Sequence, residues 1–336
     1  MSSTFFENLV KPLLFKMDAE KAHNLAMTAI KRGWVKGATY SDPKLRRELF
    51  GVSFPNPVGL AAGFDKDGVA LDRWKDFGFG FIEIGTVTRH AQPGNPKPRL
   101  FRLINEKAII NRMGFNNEGA DALIRRLESS QPGIPLGINI GKSKVTPLEQ
   151  AADDYGYSFK LLREHGDYFV INVSSPNTEG LRSLQDRDSL TKIIWRIKEI
   201  DQNKPLFVKI APDLEESALD ELIEVAQDFG LTGLIATNTT IDRKMLPNDP
   251  SQTGGLSGAP VKDKAIAILK YLRKNTADDF HIIGVGGIMS PNDATERMAD
   301  GANLIQIYSG WIYNGLAFPS DICRQIATAH PSIALK

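Results

Sequence analysis

Short apolar, β-branched runs closed by glycine, proline or small polar residues recur along the chain, and eight of them read as strands. They are VGLAAG (58–63), GFIEIGT (80–86), LGINIG (136–141), YFVINVS (168–174), LFVKIAP (206–212), GLIATN (233–238), IIGVGG (282–287) and LIQIYS (304–309). Most are apolar on both faces, the pattern of a parallel strand covered by helices. Segments of helical period lie between them, clearest at 188–200, 215–230, 262–275 and 290–301. Eight such units in about 280 residues predict an α/β fold of the (β/α)8 TIM-barrel type rather than an open doubly wound sheet, since a barrel takes roughly 250 residues.

A barrel carries its site at the C-terminal ends of its strands. The residues there are Lys66, Thr86, Asn139, Asn172 with Ser174, Ser175 and Asn177, Lys209, Thr237 with Asn238 and Thr239, Gly286 with Gly287, and Tyr308 with Ser309. Asn, Ser and Gly also close strands simply because they suit turns. Lys66 and Lys209 do not fit that explanation. Lys209 lies inside the apolar run FVKIAP, where a cation points at a bound anion or an electron-rich ring. The glycines ending the seventh run and YSG (308–310) ending the eighth suit a phosphate-bearing cofactor or substrate. Two other phosphate motifs fail: LGINIGKS has Leu136 where a Walker A loop needs glycine, and GVGGIM has Met289 at the third glycine of GxGxxG.

Two interruptions and the N-terminus complete the pattern. About 50 residues follow the second run, and within them RLFRL and AIINR flank an Asn-Glu turn and predict a hairpin outside the barrel, followed by NRMGFNN (111–117). The stretch 177–189 lacks clear period and reads either as a mobile cover over the site or as a surface loop. Phe5, Phe6, Leu9, Val10, Leu13 and Leu14 recur at helical spacing, and Ala22, Leu25, Ala26, Ala29 and Ile30 repeat it after Asp18, an N-cap residue. Their apolar faces and surplus of lysine suit an anionic lipid surface; a plug on the barrel or a dimer contact are the alternatives. Residues 1–45 thus form an extension ahead of a barrel domain at 46–336.

Composition narrows the chemistry. With 336 residues, 42% hydrophobic, 24% charged and a net charge of +1, the chain is of ordinary globular type and lacks the basic excess of a nucleic-acid binder. Cys323 is the only cysteine, which excludes an intrachain disulfide and a thiolate metal site. His23, His90, His165, His281 and His330 are scattered with no HExxH, so no metal centre is expected. No apolar run approaches the ~20 residues that span a bilayer, and the N-terminus lacks the order of a cleaved signal.

Ten segments in order carry a family resemblance: NPVGLAAGFDKDG (56–68), GFIEIGTVTRHAQPGNPKPRLFRL (80–103), INRMGFNN (110–117), GINIGKS (137–143), INVSSPNTEGLR (171–182), VKIAPDL (208–214), ATNTT (236–240), QTGGLSG (252–258), GVGGI (284–288) and QIYSG (306–310). Across nearly its whole length the chain closely resembles the quinone-dependent (class 2) dihydroorotate dehydrogenases. The resemblance implies an FMN flavoprotein that oxidises (S)-dihydroorotate to orotate in pyrimidine (UMP) biosynthesis and passes electrons to ubiquinone or menaquinone, peripherally attached to the cytoplasmic face of the inner membrane. It implies flavin contacts from Ala62, Gly63, Lys66, Thr86, Asn139, Asn172, Lys209, Thr237, Gly258, Gly287, Tyr308 and Ser309. Substrate would be held by Lys66, Asn111, Arg112, Met113, Gly114, Phe115, Asn172, Asn177, Asn238 and Thr239, the asparagines matching the imide and amide edges of the ring. Ser175 would take the C5 proton while the C6 hydride equivalent goes to the flavin, with Ser174 turned to the other side of the strand in a structural role. His23, Arg102 and Tyr308 match the polar end of a quinone tunnel between the N-terminal helices. Other FMN barrels acting on pyrimidines, soluble fumarate- or NAD-linked relatives, and a non-catalytic phosphate-binding barrel are the competing readings.

Overall fold

In the computed structural model, which describes residues 9–248 and 250–329, all eight apolar runs are strands of one closed parallel barrel. Phe5 and Phe6 lie outside the described residues. Numbered in chain order, β1 (Arg47–Leu49) and β2 (Val52–Phe54) form an antiparallel hairpin ahead of the barrel. The barrel strands are β3 (Val58–Leu60), β4 (Phe81–Thr88), β7 (Leu136–Gly141), β8 (Tyr168–Asn172), β9 (Leu206–Ile210), β10 (Gly233–Ala236), β12 (His281–Val285) and β13 (Leu304–Ile307). A separate sheet holds β5 (Leu100–Leu103), β6 (Ala108–Asn111) and β11 (Gly255–Gly258).

The period of two along each strand sorts side chains into two cores. Outward residues such as Ile82, Ile84, Ile138, Ile140 and Val208 are buried under the helices. Inward residues Phe81, Tyr168, Phe207, Ile235, Ile283 and Leu304 pack together inside, joined by Phe54 from the hairpin. Phe50, at the hairpin turn, sets its ring edge-on to Phe54, Tyr168, Phe207 and His281 at 5.3–6.0 Å between centroids, which plugs the N-terminal end of the barrel. One layer nearer the C-terminal end the interior turns polar: Glu83, Asn139, Lys209 and Gln306 are all buried.

The helices are α1 (Lys11–Lys16), α2 (Ala19–Lys31), α3 (Ala120–Leu127), α4 (Ala151–Leu162), α5 (Arg187–Ile200), α6 (Glu216–Asp228), α7 (Lys262–Lys274), α8 (Pro291–Ala299), α9 (Ser309–Asn314) and α10 (Phe318–Thr328). The four segments of clear helical period are α5 to α8. Asp18, Asp186 and Ser290 cap α2, α5 and α8 by accepting N–H bonds from Lys21, Ser189 and Asp293 at 2.9, 3.0 and 3.1 Å, each cap worth about 1 kcal/mol.

Two departures from the sequence reading bear on the site. The expected hairpin is β5–β6, but β11 adds a third strand antiparallel to β6, bringing Ser257 and Gly258 in from the chain after β10. The stretch 177–189 is not aperiodic: a 3-10 helix spans Leu181–Gln185, anchored by the buried Leu181 and Leu184, and α5 begins at Arg187. The apolar spacing of those two leucines is too short to register as a helical period.

The N-terminal pair packs on the β5–β6 excursion. Glu20 on α2 takes a two-pronged bond from Arg99, at 3.1 and 2.8 Å, and pairs with Lys97 at 3.2 Å. Leu9, Leu13, Met17, Leu25 and Trp34 stay exposed. Among the described residues no helix is long and apolar enough to cross a membrane.

Candidate active site

A continuous polar chain rises from the barrel interior to the ends of β8 and β10. Glu83 accepts from the Asn139 amide at 2.8 Å and from the Gln306 amide at 2.5 Å, with the Lys209 ammonium 3.7 Å away. The Thr86 hydroxyl donates to Asn139 Oδ1 at 2.5 Å, and the Asn172 amide donates to Thr86 at 2.8 Å and to Asn139 at 3.2 Å. Ser174 donates to Asn172 Oδ1 at 3.0 Å and accepts from the Asn238 amide at 2.9 Å. Each group therefore fixes the rotamer of the next, which orients the side chains facing the cavity above.

That cavity, of about 150 Å³, lies at the C-terminal mouth of the barrel. Its walls include Ala62, Gly63, Lys66, Thr86, Asn172, Lys209, Thr237, Gly258, Gly287, Tyr308 and Ser309 from the expected flavin set. Asn111, Met113, Gly114, Phe115, Asn177, Asn238 and Thr239 from the expected substrate set line it too, as does Ser175. The Ser175 hydroxyl oxygen accepts the Asn177 N–H at 3.3 Å, and Asn177 donates to Asn111 Oδ1 at 3.2 Å, joining the end of β8 to the end of β6. Burial, opposed by Asp67 and aided by Arg99, lowers the Lys66 ammonium to about 8.

Two expected residues stand back from the cavity. Asn139 is fully buried one layer below it and acts on Thr86 and Asn172. Arg112 turns outward, bonding Gln252 Oε1 at 3.0 Å and the Pro98 carbonyl at 2.9 Å, with its guanidinium 4.6 Å above the Phe101 ring. Ser174 does not line the cavity, but strand alternation is not the reason, since β8 ends at Asn172; its hydroxyl stays on the Asn172 side, and its two bonds hold Asn172 and Asn238.

A second cavity of about 250 Å³ lies between α1, α2 and the barrel. His23, Arg102 and Tyr308 meet there, among apolar side chains such as Leu14, Ala26 and Phe64. Arg102 donates to the Leu14 carbonyl at 3.0 Å and to that of Met17, closing the C-terminal end of α1. Burial, reinforced by the Lys66 charge, holds the His23 imidazole down at about 3, so it is neutral at physiological pH; burial raises the Tyr308 hydroxyl to about 12. Tyr308, Leu100 and Ile109 line both cavities.

A family profile described as "Dihydroorotate dehydrogenase" matches residues 44–329. The chain belongs to the dihydroorotate dehydrogenase family. A Gloeobacter violaceus protein named dihydroorotate dehydrogenase (quinone) is 53% identical, over 95% of this chain and 93% of its own. One of the same name from Chloroflexus aurantiacus is 48% identical, over 96% of each. The ligand-free DHODH of Eimeria tenella superposes with a TM-score of 0.87 at 39% identity, covering 92% of this chain and 94% of that one, and the same enzyme in complex with ferulenol gives 0.86 at 39%, covering 91% and 90%. As a member of that family the chain is an oxidoreductase on a TIM barrel.

In this family member further residues belong to the site: Gln306 and Ser257 line the cavity, and Glu83 lies buried beneath it. Glu83 and Gln306 carry the same signal that singled out Lys209, one polar letter inside an apolar strand, and all three converge. Ser257 reaches the cavity only through the pairing of β11, and its hydroxyl lies 2.9 Å from that of Ser309. The rejected GKS segment is structural: Lys142 donates to the Ser143 and Thr146 carbonyls at 2.9 and 2.5 Å.

Proposed function

We propose that this chain oxidises (S)-dihydroorotate to orotate with FMN bound in the first cavity, and delivers the electrons to a quinone, ubiquinone or menaquinone, in the second. The observation that carries the reading is the shared wall: a cavity bearing three serines and four asparagines backs onto a more apolar one across Tyr308, Leu100 and Ile109.

The residues present fit FMN. Gly258 and Gly287 have φ of +97° and +72°, and a Cβ on either would come within 2.3 Å of the backbone behind it, so only glycine makes these turns. With the Ser257 and Ser309 hydroxyls they suit a phosphate. Gln306 lines the cavity with a buried Oε1 that has no partner among the described residues, as the edge of a flavin ring would supply. Ala62, Gly63, Thr86, Asn172, Thr237 and Tyr308 would enclose the ring. Bound there, FMN supplies the two-electron acceptor that no side chain provides.

Lys66 holds the anionic substrate, and Asn111, Asn172, Asn177 and Asn238 offer paired donors and acceptors to its imide and amide edges. Ser175 takes the proton from C5. Its oxygen accepts only the Asn177 N–H among the described bonds, and no ionisable side chain bonds to it, so its competence rests on position and enclosure. Lys209 places a positive charge where electrons accumulate, with Glu83 setting its position.

His23, Arg102 and Tyr308 would form the polar end of the quinone site. The exposed apolar side chains of α1 and α2, with Leu13 58% and Leu25 51% accessible, support peripheral attachment to the cytoplasmic face of the inner membrane. The family match beginning at residue 44 supports a division between an extension at 1–45 and a catalytic barrel.

Anaerobic titration tests this directly. The FMN-loaded protein bleaches with one equivalent of dihydroorotate and regains its colour on adding a quinone. A fully loaded protein that keeps its oxidised spectrum with excess dihydroorotate would falsify the assignment.

A further inference from the structure

Arg182 and Asp213 lie in two of the motif segments, INVSSPNTEGLR and VKIAPDL, yet neither lines the cavity. The Arg182 side chain leaves the 3-10 helix at Leu181–Gln185, whose position is set by the buried Leu181 and Leu184. Its guanidinium serves three acceptors: Nε donates to the Ser174 carbonyl at 3.1 Å, Nη1 to Asp213 Oδ2 at 3.0 Å, and Nη2 to the Thr239 carbonyl at 3.1 Å. Asp213 is itself held by the Lys264 ammonium at 3.0 Å, the Ile241 N–H at 3.2 Å and the Thr240 hydroxyl.

The acceptors matter more than the ion pair. A peptide group is planar, so the Ser174 carbonyl and the Ser175 nitrogen move as one unit, and turning that plane swings the Ser175 hydroxyl. Thr239 lines the same cavity from β10's end, and its buried hydroxyl has no partner among the described residues. A rigid planar fork spanning both carbonyls fixes the separation between the β8 and β10 ends, which a lysine, with one compact ammonium, does not reproduce.

We propose that Arg182, oriented by Asp213, is a positioning residue for proton removal: it holds the Ser174–Ser175 peptide and Thr239 in register across the substrate end of the cavity. The proposal rests on the reading of Ser175 as the base. A purely structural role would instead be that of a partly exposed ion pair, with side chains 23% and 15% accessible, adding modestly to stability. Replacing Arg182 leaves Asp213 paired with Lys264, so the fold keeps a counter-charge for that half-buried carboxylate.

The test is a double-mutant cycle on the rate of flavin reduction by dihydroorotate in anaerobic stopped flow, using FMN-loaded wild type, Arg182→Ala, Ser175→Ala and the double variant. Arg182→Ala alone slows reduction by about 10²-fold, the usual penalty for misplacing a reacting group by an ångström. In the Ser175→Ala background the same change costs less than about threefold, because the group it positions is gone. An unchanged rate in Arg182→Ala, or an equal loss in both backgrounds, overturns the proposal while leaving a slow Ser175→Ala to support the base. A Ser175→Ala enzyme as fast as wild type removes the base and the proposal together. If Arg182→Ala does not retain FMN, Arg182→Lys takes its place in the same cycle with the same expected outcomes.

Discussion

The Lys209 ammonium and the Glu83 carboxylate face each other 3.7 Å apart inside the barrel, their side chains 6% and 0% accessible. Glu83 is also the acceptor for both Asn139 and Gln306, so a glutamine in its place turns an amide toward donors and strips Lys209 of its counter-charge. Breaking one side of such a pair costs about 3 to 5 kcal/mol. Glu83→Gln is therefore expected to lower the unfolding free energy of the flavin-free protein by that amount in urea titration, and to weaken FMN retention. A loss below about 1 kcal/mol, the range of surface changes, would show that Lys209 finds another partner.

Ser174 and Ser175 are adjacent and predict opposite kinetic defects. Ser174→Ala removes one donor to Asn172 and one acceptor from Asn238, loosening two substrate-facing amides. It should raise KM for dihydroorotate and the Kd of orotate about tenfold, the value of one or two ordinary hydrogen bonds, with the limiting rate of flavin reduction little changed. Ser175→Ala should leave orotate binding intact and slow reduction by about 10² to 10⁴. Matching defects in the two variants would mean the serines do not divide the work this way.

Lys66 sets a pH limit. Its free-enzyme ammonium, lowered by burial from the ordinary lysine value to about 8, is charged below that pH and neutral above it. Capture of an anionic substrate should thus be full below pH 8 and fall as pH rises through it, so kcat/KM declines by about tenfold per pH unit on the alkaline side. Lys66→Met should be slow at every pH and lack that limb. A wild-type kcat/KM that stays level to pH 9.5 would exclude the assignment.

Glu20 docks α2 through its buried bond to Arg99. Burial opposes its charge, but Arg99 and Lys97 hold the carboxyl below its usual range, so it is ionised throughout the working range of pH. Glu20→Ala frees the roof of the second cavity and should raise the quinone KM by about tenfold or more, while anaerobic reduction by dihydroorotate proceeds at the wild-type rate. Loss of the anaerobic step instead would tie α2 to the first cavity.

The barrel was legible because parallel strands buried on both faces leave long apolar runs, and all eight were visible as such. Strand β11 was not, since GLSG has no strand character apart from its partner β6. The bond between Arg182 and Asp213 joins segments 31 residues apart, and nothing in either local pattern specifies the other. Glu83 and Gln306 were readable in principle, as lone polar letters in apolar runs; which of them meet Lys209 is set by barrel register, which sequence period does not encode.

Tyr308 and its neighbours Leu100 and Ile109 separate a cavity suited to a water-loving acid from one suited to a greasy carrier. On the proposed reading, that partition makes the protein a phase boundary in miniature. The two reactants occupy separate cavities, so each product can leave before the other reactant arrives. Initial velocities measured against both concentrations should then give parallel reciprocal lines, the signature of an enzyme that alternates between two states rather than one that gathers a ternary complex.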